Sequence, residues 1–82
     1  MSKRARVRVA FRGGDQDERA GWWIGFDYDV DVVERLKRRV PPTQRTWDGA
    51  SRLWWVSSWY EHILLELFGE SFNAHLQQAA LL

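Results

Sequence analysis

The chain predicts an α+β domain of order ββαββα(α): a four-stranded antiparallel or mixed sheet with helices packed on one face. Three observations carry this. Apolar residues alternate at period two in residues 4–12 and 22–28, recur at helical spacing after Asp31 and after Ser58, and are separated by Gly, Pro and Asp-Gly punctuation. Eighty-two residues form one domain, 1–82, and a chain of this size buries only about 60–65% of its unfolded surface, so the core is thin.

In the first strand Arg4, Arg6, Arg8 and Arg12 share one parity, and Ala5, Val7, Val9 and Phe11 share the other. The expected strand therefore has an arginine ladder on one face and an apolar face behind it. Residues 13–21 hold three glycines and four charged residues and read as a mobile loop. The second strand runs from Trp22 to Asp27 or Tyr28, with Trp22, Ile24, Phe26 and Tyr28 inward and Trp23 outward. Asp31 with Glu34 suggests a capping box that opens a helix to Val40, stopped by Pro41-Pro42. Residues 45–57 read as a hairpin turning at Asp48-Gly49-Ala50-Ser51, where Asp-Gly favours positive φ. Within Trp54-Trp55 neighbours must point to opposite faces, and the expectation is Trp54 and Val56 inward, Trp55 outward. Ser58 with Glu61 suggests a second capping box on a helix to Phe68, ended by Gly69, and a last helix spans about Ser71 to Ala80.

Composition narrows the function classes. The absence of cysteine removes disulfides, thiolate metal sites and cysteine nucleophiles together. The formal charge of +1 conceals segments: +5 over residues 1–12, −6 over 13–34, +5 over 35–52 and −3 over 53–82. Ten of the 12 basic residues are arginine, which suits bidentate phosphate contacts, although a GC-rich coding sequence gives the same bias. Same-face residues on a strand lie about 6.6 Å apart, near the phosphate repeat of an extended nucleic-acid strand. Arg4, Arg6, Arg8 and Arg12 beside outward Trp23 and Trp55 thus predict a face where cations track a backbone and indoles stack on bases.

Further along, Leu36-Lys37-Arg38-Arg39-Val40-Pro41-Pro42, Arg45-Thr46-Trp47-Asp48, Arg52-Leu53-Trp54-Trp55-Val56, and then Tyr60 and Leu64, resemble the pattern of the HARP domain over about residues 30–68. Trp47 stands where that pattern usually has Tyr, and Val56 where Phe is common. HARP domains sit beside the motor of annealing helicases and recognise branched DNA at single-strand to double-strand junctions. The resemblance implies DNA contact by Lys37, Arg38, Arg45 and Arg52. The chain carries neither motor nor phosphate-binding loop, so the implied activity is binding alone.

Other constellations fare worse. A calcium loop counted from Asp27 would put Val32 where Gly is needed and Arg38 where Glu is needed. A metal-dependent nuclease could draw on Asp27, Glu34 and Lys37, but acids at a strand end and helix N-terminus have the ordinary macrodipole explanation. His62 and His75 lie 13 residues apart with no third nitrogen or thiolate ligand, and Ser57, Ser58 and Ser71 have no adjacent base. The expectation is no catalytic site, no metal and no cofactor.

The sequence therefore predicts a small cytoplasmic nucleic-acid-binding module, DNA favoured and single-stranded or branched, without membrane attachment. The competing expectation is a protein-interaction module or small inhibitor. It would dock through the acidic stretch from Asp15 to Asp31, or pair as a homodimer through the terminal helix at Leu76, Leu81 and Leu82.

Overall fold

The computed structural model describes residues 5–80; the expectations placed on Arg4, Leu81 and Leu82 lie outside the described residues. Element order follows the sequence pattern: β1 (Val7–Arg12), β2 (Gly21–Phe26), α1 (Val30–Arg39), β3 (Arg45–Asp48), β4 (Leu53–Ser57), α2 (Glu61–Phe68) and α3 (Glu70–Ala80). Short 3-10 turns occupy Pro42–Gln44 and Ser58–Tyr60. The four strands are antiparallel in spatial order β1-β2-β4-β3, so two hairpins join through a central β2–β4 pair. No helix among the described residues is long and apolar enough to cross a membrane.

The helices cover the face that bears Trp22, Ile24, Trp54 and Val56, and meet it with Val32, Leu36, Val40, Ile63, Leu64, Leu67, Phe68 and Phe72. Two aromatic contacts fix α2 and α3 to β2. Trp22 meets Phe72 edge-on at 5.0 Å between centroids, and Phe26 meets Phe68 at 4.8 Å.

Several element boundaries differ from the sequence expectation, each for a local reason. Helix α1 is capped by Asp29, not Asp31: the Asp29 carboxylate accepts from the backbone N–H of Asp31 at 2.9 Å and of Val32 at 3.4 Å. The Ser58–Glu61 capping box does not form: the Ser58 N–H donates to the Ala20 carbonyl at 3.1 Å, and the Glu61 carboxylate accepts the indole N–H of Trp22 at 2.6 Å. Ser57 caps the 3-10 turn instead, accepting from the Trp59 N–H at 3.3 Å. Gly69 does end α2, at φ 60°, a conformation open to glycine without a Cβ clash. In the β3–β4 turn the positive φ falls on Arg52 (58°) rather than Gly49, because the Asp48 carboxylate holds the turn by accepting from Ala50 N–H and the Ser51 hydroxyl.

One irregularity reorders the sheet faces. Val7 pairs with Phe26, but the next pair is Val9 with Gly25, so β1 carries a bulge between them and its parity reverses. Beyond it Ala10 lies opposite Ile24 on the helix side, while Phe11 lies opposite Trp23 on the other. The expected arginine ladder is therefore broken: Val9 and Phe11 face away from the helices, at 40% and 47% exposure. Arg12 lies with Trp22 on the helix side.

Candidate functional site

The face away from the helices is apolar where it was expected to be basic. Val9 and Leu53 close over Gly25, and Phe11 and Trp23 continue the patch. Arg12 instead holds its guanidinium 5.2 Å from the Trp22 ring centroid, with Nη2 3.9 Å from Glu61. Arg8 is ion-paired with Asp27, and Arg6 is exposed at the same end of β1, near His75 of α3.

Trp55 points to this face, as strand parity demands, yet it is fully buried. Its cover is the β1–β2 loop. The Trp55 indole donates to the Gly13 carbonyl at 3.0 Å, and the Arg19 guanidinium lies 5.1 Å above its ring. Trp23 donates to the next carbonyl, Gly14, at 3.1 Å, and is half-buried. The expectation of a stacking Trp55 is corrected: no ligand reaches that ring while the loop is in place.

The loop folds by local chemistry rather than lying open. Asp15 accepts from the N–H groups of Asp17 (3.0 Å) and Arg19 (2.9 Å) and from the Arg19 guanidinium at 2.8 and 2.6 Å. Burial acts to raise the Asp15 pKa, but these donors outweigh it and hold the carboxyl below its ordinary value. The Ser51 hydroxyl, against a smaller effect of burial, lowers that of Asp48. Two acids of the stretch from Asp15 to Asp31 are thus engaged by arginines and a third, Asp29, by a helix cap. Leu76 packs half-buried against the core.

Basic and aromatic side chains do converge, on the helix side at the β3 edge. Between α1 and β3 lies a trough of two adjoining hollows, about 520 and 440 Å³. Both share Tyr28, Val33, Trp47 and Trp54. Buried Trp54 forms the floor, and Trp47, directly opposite it on the edge strand, stacks at 5.2 Å and stays 49% exposed. Tyr28 is 81% exposed. Lys37, one turn after Val33 on α1, and Arg45 line one hollow, and Arg52 lines the other with the Arg8–Asp27 ion pair. Arg45 is pre-positioned by a bond from Nε to the Val40 carbonyl at 2.9 Å. Among the described residues, Lys37, Arg45 and Arg52 have no acidic partner within ion-pair distance.

Of the cations the family resemblance implies, Lys37, Arg45 and Arg52 stand at this trough. Arg38 stands elsewhere, beside Arg35, Arg39 and Glu66. The trough aromatics, Tyr28 and Trp47, escaped the sequence reasoning because both were expected to point inward. Tyr28 instead lies beyond the end of β2 at Phe26, and Trp47 sits on β3, an edge strand whose inward residues have a neighbouring strand on one side only. Trp59, in the 3-10 turn Ser58–Tyr60, is 83% exposed. The chain matches no protein-family model, no curated protein and no solved structure.

Proposed function

We propose that the chain is a nucleic-acid-binding module, with DNA the favoured ligand, and that it binds through the trough between α1 and the β3 edge. The observation that carries this reading is the convergence of two exposed rings, Tyr28 and Trp47, with three cations free of acidic partners among the described residues, Lys37, Arg45 and Arg52. The cations repel a cationic guest, and the rings offer a simple anion nothing. A polyanion that also carries flat apolar faces satisfies both. The HARP-like pattern supports the reading, since three of its four implied contacts belong to the trough.

The test is intrinsic fluorescence titration with single-stranded, duplex and forked DNA, and a matching RNA strand, at two salt concentrations. Three phosphate contacts predict a log-log salt slope of about −2 on a single strand, and losing one contact makes it shallower by about 0.7. Arg52→Gly is the informative variant. It removes a cation from the trough while relieving a non-glycine residue at φ 58°, so binding falls and fold stability stays level or rises by roughly 1 kcal/mol. No salt-dependent binding to any of the four ligands overturns the proposal.

A further inference from the structure

Around the 3-10 turn at Pro42–Gln44 from the trough lies a second hollow, about 840 Å³, walled by Thr43, Gln44, Ser58, Trp59, Tyr60 and His62. Its chemistry differs from that of the trough. Arg19, the cation at its back, is ion-paired to Asp15, stacked on Trp55, and donates to the Thr43 carbonyl at 2.9 Å. The wall is therefore held in place without a free charge to offer a phosphate. What the hollow presents is aromatic surface: the Tyr60 and His62 rings are near-parallel at 6.3 Å, and the Trp59 indole stands 83% exposed beside them. At its rim are the Thr43 and Ser58 hydroxyls and the Gln44 amide, groups able both to donate and to accept.

We infer that this cleft takes an unpaired nucleobase of the strand whose phosphates lie in the trough. The inference rests on the nucleic-acid reading and deepens it to single-stranded ligand. Flat apolar walls with a mixed donor and acceptor rim suit a base's face and edge, and a base reaches them only when it is out of a duplex stack. The two sites adjoin along the chain, since Gln44 lines the cleft and Arg45 the trough, so one strand crossing the 3-10 turn reaches both.

Trp59→Ala tests this, because so exposed a side chain contributes little to the core. The probes are a deoxythymidine oligonucleotide, the same backbone made abasic, and a duplex, each measured by fluorescence anisotropy against the wild-type chain and the variant. Loss of one stacked base predicts about 5- to 150-fold weaker binding of the deoxythymidine strand. The salt slope is expected to be unchanged, because no phosphate contact is lost, and abasic and duplex affinities are expected to equal those of the wild type. Trp59→Phe, which keeps a ring, is expected to recover much of the loss. Deoxythymidine binding by the wild type that Trp59→Ala leaves unaltered overturns the cleft alone. A wild-type chain that binds no oligonucleotide overturns the nucleic-acid reading beneath it. A proline-rich decapeptide is the competing occupant for an aromatic cleft, and saturable peptide binding lost in Trp59→Ala, with oligonucleotide binding untouched, overturns the base assignment too.

Discussion

Gly21 sets the position of the Trp55 ring, and through it the β1–β2 loop. A Cβ at Gly21 would lie 2.4 Å from Cε2 of Trp55, a ring already held by the Gly13 carbonyl and by Arg19. Gly21→Ala is therefore expected to destabilise the fold by about 1–3 kcal/mol in urea denaturation, the range of overpacked cores. Gly49→Ala, whose Cβ meets nothing closer than 3.6 Å, serves as the matched control and is expected to be near neutral. Asp15 acts on the same loop. Its pKa lies below the ordinary 3.8 in the folded chain, so its contribution to stability is complete above about pH 4 and is lost as pH falls through the folded value. Acid titration followed by tryptophan emission is expected to show the loop releasing Trp55 below about pH 4, with Asp15→Asn already released at neutral pH.

At the scale of elements, the cap of α1 separates two acids two residues apart. Asp29→Ala removes both cap bonds and is expected to cost about 1 kcal/mol, whereas Asp31→Ala is expected to cost a few tenths, both measured by thermal or urea denaturation. The strands and helices were legible because each has its own periodicity, and Pro41, Gly69 and the turn at Asp48 mark their ends. The β1 bulge was not legible. Residues 4–12 alternate except at Ala10, an apolar residue on the arginine parity, and that one break does not place the slip, which arises when Val7 and Val9 meet adjacent residues of β2. A slip of one residue exchanges the two faces of a strand, so a correct strand assignment yielded the wrong face for Val9, Phe11 and Arg12. The bulge and the cations at Arg6, Arg8 and Arg12 also make β1 a poor edge for pairing with another sheet.

For the whole molecule, the segmental charge imbalance was legible in the sequence but its placement was not. Among the described residues, the cations of the two +5 segments are used differently. In the first, Arg8 and Arg12 turn to Asp27 and Glu61. In the second, Lys37, Arg45 and Arg52 stay unpaired among the described residues and gather at the trough. Which cations remain available thus depends on tertiary pairing between segments far apart in sequence, and on β3 being the last strand of the sheet. The tryptophans divide in the same way: Trp22, Trp54 and Trp55 are buried, Trp23 is half-buried, and Trp47 and Trp59 are exposed.

That division also gives the chain a set of internal clocks. The indole N–H groups of Trp22, Trp23 and Trp55 are tied to Glu61, Gly14 and Gly13, from two different sides of the sheet, while the side chain of Trp59 stands in water. Deuterium therefore replaces these protons in sequence: Trp59 at once, Trp23 and Trp55 when the β1–β2 loop lifts, and Trp22 only when the contact between sheet and α2 opens. These four one-proton signals, without any label added, would time the opening of each layer separately.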